Sequence, residues 1–220
     1  MNISYCAISH WYRQNWKLLI AAEIFFLGCT ALYLLVAPRI FEADFAIRVP
    51  KVQIESASNG LPTSQWNLLI SGIDMMRSLQ NPLDYPKELV EQCMGEDSNA
   101  NRKKWVNSNQ MHLMNNGDVI HFSVRIEGRK RTTDCAYALE GFVIEILNKI
   151  YNEALAKGSS TDSGGVQRKV IQLEPPLVVA AIRISDGPIR PDIFKTWIAA
   201  LIGGIFLGIF SAFLRNKYRA

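Results

Sequence analysis

The sequence lacks the short motifs that mark the common catalytic and nucleotide-binding sites. It has no GxxxxGK[ST] phosphate loop, no GxSxG nucleophile turn, no HExxH zinc motif and no convincing nucleophile–base pair. It has only four cysteines and three histidines, and the spacing of Cys93, Cys135, His112 and His121 matches no zinc-ligand pattern. We therefore predict that the chain is not an enzyme and has no catalytic residues, metal or cofactor.

Acidic residues are absent from both ends of the chain. Residues 1–17 carry two bases, residues 215–220 carry three, and residues 38–194 balance 18 Lys and Arg against 19 Asp and Glu. The formal charge of +4 therefore comes mainly from the ends. Bases placed in this way indicate contact with anionic membrane lipids and not with nucleic acid.

Two long apolar stretches, residues 18–37 and 195–214, flank the polar middle of the chain. Each is long enough to cross a hydrocarbon layer of about 30 Å as a helix. Because Lys and Arg favour the cytoplasmic side, residues 1–17 and 215–220 are predicted to be cytoplasmic tails and residues 38–194 an exported domain. A cleaved signal peptide at 18–37 is less consistent with its length and with Pro38-Arg39, which follows without a small-x-small cleavage site.

The second span carries small residues at four-residue intervals. A row of this kind lies on one helix face and lets another helix approach closely. We predict that it serves helix packing or oligomerisation, with the first span, a neighbouring copy or another protein as partner. The row consists of Ala200, Gly204, Gly208 and Ala212.

Pro188 and Pro191 precede the second span and predict a stiff, extended approach to the membrane. Glu23 lies inside the first span, where an ionisable group is costly. It is therefore either neutralised, by protonation, by Lys17 or by reaching the interface, or it contacts a partner helix or a transported substrate.

Cys93 and Cys135 both fall in the middle domain. If that domain is exported, an oxidising compartment permits a disulfide between them. Two separate buried thiols are the alternative, because the sequence does not give their distance.

Strand patterns occur near both ends of the middle domain and at its centre. Apolar residues alternate from Phe41 to Val49 and from Val178 to Ile184, which predicts two strands. Asn115–Asp118 lies between alternating runs, which predicts a β-hairpin.

Helical spacing predicts one helix through Trp66–Met76 with Ser64 as its cap, a second helix through Asp84–Gly95, and a long helix from Asp134 to Gly158. We interpret residues 96–104 as a loop and residues 159–165 as a flexible linker. This order of elements indicates an α+β domain, in which an antiparallel or mixed sheet carries helices on one face.

These features together resemble the bacterial polysaccharide co-polymerases, the chain-length determinant family. The resemblance covers about half of the chain. It rests on Pro38–Phe45 after the first span, on Phe122-Ser123-Val124 followed by the Ala136–Tyr151 helix, and on Pro188, Pro191, Gly204 and Gly208 around the second span.

The resemblance implies an inner-membrane protein with both ends cytoplasmic and its middle domain periplasmic. Members form homo-oligomeric rings and set the length of O-antigen, capsule or related glycans. They work with a polymerase that uses undecaprenyl-pyrophosphate-linked repeats. The chain shows neither the tyrosine kinase of one subclass nor the extended helical hairpin of larger members, so we expect a low ring.

Two other functions stay open from the sequence. One is a two-span sensor or accessory subunit with an exported ligand- or partner-binding domain, which would need a partner for its output because residues 215–220 are too short to hold an output module. The other is a membrane enzyme without a familiar motif.

Overall fold

The chain divides into an apolar helix pair and an α+β domain. The structure is a computed structural model that describes residues 5–58, 61–157 and 169–219. One unit comprises Met1–Arg39 with Pro188–Ala220, and the other comprises Ile40–Gly187. In chain order the elements are α1 (Tyr5–Val36), β1 (Ile40–Arg48), β2 (Lys51–Ser58), β3 (Leu61–Leu68), α2 (Gly72–Gln80), α3 (Lys87–Met94), α4 (Asn99–Ser108), β4 (Asn109–Met114), β5 (Val119–Glu127), α5 (Arg129–Lys157), β6 (Lys169–Glu174), β7 (Leu177–Ile184) and α6 (Ile193–Arg219).

The first unit consists of α1 and α6, which pack against each other. Both are long and apolar enough to cross a membrane, over Arg13–Val36 in α1 and Ile193–Arg215 in α6.

The second unit contains two antiparallel sheets. The larger has the strand order β4-β5-β1-β7, and the smaller has the order β3-β2-β6. Strand β1 pairs with β5 from Ile40 opposite Glu127 to Arg48 opposite Val119, and its other edge pairs with β7. The α+β class is therefore confirmed, and the first and last predicted strands lie side by side, whereas the smaller sheet was not predicted.

The core lies between one face of the larger sheet and helices α2 to α5. Alternate residues of β1 and β5 point into it, and Phe45 stacks on Phe122 with ring centroids 4.8 Å apart. The apolar spacing of α5 places Leu139, Val143 and Leu147 in the same core. Each large apolar side chain buried in this way contributes roughly 1.5–3 kcal/mol.

The helix predicted to begin at Ser64 starts later. Leu61–Leu68 forms strand β3, in which Trp66 pairs opposite Gln53 of β2. Helix α2 begins at Gly72, and the side chain of Ser71 caps it by accepting a hydrogen bond from the backbone N–H of Ile73 at 3.2 Å. Pairing with β2 satisfies the backbone of this segment, and that tertiary effect outweighs the short helical spacing.

Residues 96–104 are not a loop, because α4 begins at Asn99. Ser98 caps this helix by accepting from the backbone N–H of Asn101 at 3.3 Å, and the fully buried Trp105 anchors it. Arg102 pairs with Asp97 and donates to the carbonyl oxygen of Tyr85 at 2.9 Å. A single apolar anchor gives no helical period, which is why the prediction failed.

The long predicted helix is α5, which begins at Arg129 and not at Asp134. Its backbone continues from the left-handed Gly128 after β5. The predicted end at Gly158 and the predicted linker 159–165 lie outside the described residues.

Two helical glycines give a stability prediction of opposite signs. A Cβ at Gly141, inside α5, would meet nothing within 4 Å, so we expect Gly141→Ala to raise the free energy of unfolding by about 1 kcal/mol. A Cβ at Gly72 would lie against the carbonyl oxygen of Gly117 and 2.6 Å from Cδ2 of Leu113, so we expect Gly72→Ala to lower that free energy by roughly 1–3 kcal/mol. Urea unfolding of the full chain in detergent measures both, and equal shifts for the two variants would contradict this packing.

Candidate functional site

The row of small residues on α6 is buried in the structure. Ala200, Gly204, Gly208 and Ala212 are all buried, and the two glycines of the row contact α1. The sequence left open whether the partner of this row was the first span or another chain. The structure places the first span on it.

The contact is close enough to exclude a side chain at the glycines. A Cβ at Gly208 would lie 2.8 Å from Cδ2 and 3.2 Å from Cα of Leu19, and a Cβ at Gly203 would lie 2.8 Å from the Phe26 ring. Gly28, also in α1, meets nothing within 4 Å. Glycine is therefore required by packing at specific positions of the helix pair and not throughout it.

Glu23 faces the middle of this contact. A Cβ at Gly204 would lie 2.5 Å from its Oε2 atom, and this oxygen is buried without a hydrogen-bond partner in the part of the chain that the structure describes. The acid predicted to be costly within the first span thus lies against Gly204 of α6, a residue that has no side chain.

Sequence reasoning missed three members of this contact: Leu19, Phe26 and Gly203. Gly203 does not belong to the four-residue row, although the sequence shows that it directly precedes Gly204. Leu19 and Phe26 are apolar residues in an apolar span, so nothing in the sequence distinguishes them from their lipid-facing neighbours.

The segment before α6 contains Pro188 and Pro191, and the Arg190–Pro191 peptide bond is cis. Asp192 follows and caps α6, accepting a hydrogen bond from the backbone N–H of Lys195 at 3.1 Å. This bond and the ammonium group of Lys195 lower the pKa of Asp192. An acid directly before an apolar helix is the sequence pattern that could have predicted this cap.

A polar network lies on the face of the larger sheet that points away from the core. Oε1 of Glu42 in β1 accepts a hydrogen bond from the Ser123 hydroxyl and one from Nε of Arg125 at 2.7 Å. The backbone of Glu42 also bonds to Ser185, which follows β7, with Ser185 N donating to the Glu42 carbonyl oxygen at 2.8 Å. The network links β1 to β5 and to the residue that follows β7.

The surroundings of Glu42 predict a pH dependence of the domain's stability. Burial alone would raise its pKa, but the hydrogen bonds from Ser123 and Arg125 and the charge of Arg125 outweigh burial and hold the pKa below the ordinary value of 4.5. A lowered folded-state pKa means that the stabilisation is complete above the unfolded-state value and is lost as the pH falls through the folded value.

We therefore expect the free energy of unfolding to fall more steeply below pH 4.5 in the wild type than in Glu42→Gln, which cannot titrate at this position. At neutral pH the variant should be less stable by on the order of 1 kcal/mol. Urea unfolding in detergent at a series of pH values measures the difference. Parallel pH curves for the two proteins would show that Glu42 does not contribute in this way.

Cys93 of α3 and Cys135 of α5 are joined by a disulfide, with their Cα atoms 5.5 Å apart. Both residues are fully buried in the core. The covalent link therefore joins two of the helices that cover the sheet. Cys29 of α1 is a free, exposed cysteine.

A shallow cavity of about 590 Å³ opens at the first turn of α5. It is lined by three consecutive bases together with Gln92, Gly128 and Asp134; the bases are Arg129, Lys130 and Arg131. The three bases outnumber Asp134 and make the surface electropositive. The N-terminus of α5 adds its own partial positive charge.

Neither a protein-family model nor a curated protein sequence matches this chain. Among solved structures, the chain is similar to a full-length bacterial polysaccharide co-polymerase. The match has a TM-score of 0.46 and 10% sequence identity, and it covers 98% of each chain.

Proposed function

We propose that this chain is a polysaccharide co-polymerase of the bacterial inner membrane, which regulates the length of a surface glycan such as O-antigen or capsule. Residues 1–17 and 215–220 are the cytoplasmic tails, residues 18–37 and 195–214 the spans, and residues 38–194 the periplasmic domain. Copies assemble into a ring, and the ring works beside a polymerase that extends undecaprenyl-pyrophosphate-linked repeats.

One observation supports this proposal most directly. The glycines that carry the sequence resemblance, Gly204 and Gly208, lie where α6 packs closely against α1. Glycines with a packing role at these positions are what a two-span anchor of this family would need. Pro188 and Pro191, the other part of the resemblance, immediately precede the same helix.

Two further features support an exported middle domain. The Cys93–Cys135 disulfide is typical of oxidising compartments such as the periplasm. The bases of the tails favour the cytoplasmic side and the anionic headgroups there.

In this proposal the chain acts as a non-catalytic scaffold. Its contribution is to hold identical surfaces at fixed spacing near the polymerase and the growing lipid-linked glycan. The basic cavity at Arg129–Arg131 offers cations that can pair with an anionic glycan or a lipid-linked pyrophosphate.

Deleting the gene from its host and restoring it on a plasmid tests the function. We expect the glycan to be made without the protein but to lose its preferred length, and we expect the wild-type chain to restore that length. Electrophoresis of the extracted glycan measures the distribution. An unchanged distribution in the deletion strain would refute the role in chain length. Alkaline phosphatase forms its own disulfides and becomes active only after export, so inactive fusions throughout residues 40–190 would refute the topology.

A further inference from the structure

We propose that copies of this chain assemble by continuing the larger sheet, with the β7 edge of one copy pairing with the β4 edge of the next. The inference rests on the homo-oligomeric scaffold proposed above and names the surfaces by which its copies meet. Gly204 and Gly208 are covered by α1 within one chain, so contacts between copies need another surface.

Strand β7 has an exposed apolar edge. It is the outer strand of the four-stranded sheet, and only β1 pairs with it among the described strands. Leu177, Val178 and Val179 are 55%, 37% and 47% exposed. Successive residues of a strand point to opposite faces, so both faces of this end of β7 are apolar and exposed.

The edges of the larger sheet carry few of the residues that keep sheet edges apart. Within β4 and β7 the only Lys, Arg, Asp or Glu is Arg183, which lies opposite Asp44 of β1. The edges of the smaller sheet differ, because β3 contains Pro62 and β6 contains Lys169 and Glu174. Charges and prolines of this kind protect edge strands from pairing with another chain, and a neutral apolar edge is open to it.

The directions of the strands favour a head-to-tail contact. Three antiparallel pairings separate β4 from β7, so these two edges run in opposite directions. A β4 strand of the next copy placed beside β7 therefore makes one more antiparallel pair and keeps the helices on the same face. Such a contact repeats from copy to copy and gives a ring where the rotation between copies closes, whereas a β7–β7 contact stops at two copies.

Lysine substitutions at the two edges test the inference in the full chain, extracted in detergent. Val179→Lys alters the β7 edge and Met114→Lys alters the β4 edge, where Met114 is 47% exposed. Tyr137→Lys is the matched control, since Tyr137 is 60% exposed on α5. Light scattering measures the mass of the protein in each particle.

We expect each edge variant to lower that mass at least about twofold, and the control to leave it unchanged. A mixture of the two edge variants should give particles of two chains, because the intact β4 edge of one variant still fits the intact β7 edge of the other. This mixture also shows that both variants are folded.

Particles of wild-type mass from Val179→Lys would overturn the sheet contact and leave the proposed function standing. If Val179→Lys lowers the particle mass and Met114→Lys does not, the head-to-tail arrangement is overturned in favour of β7–β7 pairing. A wild-type chain that is itself monomeric would overturn the oligomeric scaffold, and this inference with it.

Discussion

Replacing Cys93 and Cys135 by alanine lowers the free energy of unfolding of the full chain by about 4 kcal/mol. The disulfide closes a loop with a sequence separation of 42 residues, and a link of that length restricts the unfolded chain by about this amount. Both side chains are fully buried, so alanine leaves small apolar gaps and no unpaired polar group. The loss is a large share of the 5–15 kcal/mol that is typical of a folded domain.

Urea unfolding in detergent, followed by tryptophan fluorescence, measures this effect. Cys29→Ala is the control, because Cys29 is exposed and outside the disulfide, and its unfolding midpoint should not move. A reductant should shift the midpoint of the wild type toward that of the Cys93→Ala/Cys135→Ala variant and should not affect the variant. If the reductant changes neither protein, the disulfide does not stabilise the domain.

The second large effect is expected in the helix pair. Gly204→Leu combined with Gly208→Leu leaves both spans apolar but places side chains where α1 lies, at roughly 1–3 kcal/mol for each overpacked site. The protein should therefore reach the membrane, while the population with α1 packed on α6 falls by roughly tenfold or more. Under the proposed function, the glycan then loses its preferred length.

Membrane fractionation and electrophoresis of the glycan measure the two halves of this prediction. Gly28→Leu is the matched control, because a Cβ there meets nothing within 4 Å. Among single alanine variants, Gly208→Ala should cost more than Gly204→Ala. The carboxylate of Glu23 can rotate away, whereas Cα of Leu19 belongs to the backbone. A normal glycan profile from the double variant would show that the α1–α6 contact is not needed for the proposed function.

Strands with a clear period of two were predictable, and elements defined by their partners were not. Phe41–Val49, Val178–Ile184 and the hairpin at Asn115–Asp118 matched β1, β7 and the β4–β5 turn within a few residues. Strand β3 was mistaken for a helix because it is held by pairing with β2 and not by an alternating pattern of its own. Helix α4 was missed because one buried tryptophan does not make a period.

In the candidate site, too, regular spacing was predictable and the contacting partners were not. Regular spacing along α6 predicted a packing face, because small residues at four-residue intervals let a helix approach closely whichever helix it is. The identity of that partner required coordinates, because Leu19 and Phe26 look like any other apolar residues of the span. The polar bonds of Glu42 were also hidden, because they depend on which strands lie beside β1.

The sheet is completed in an order that differs from the order of synthesis. The first strand to be made, β1, lies inside the sheet, and its neighbour β7 is the last strand to be made. Until β7 is synthesised, one edge of β1 therefore has no partner, even after Cys135 has emerged and the disulfide can close. Long-range pairing of this kind is slow, and unfinished edges aggregate. The partly built sheet is therefore open to pairing with other nascent copies until the final strand is made.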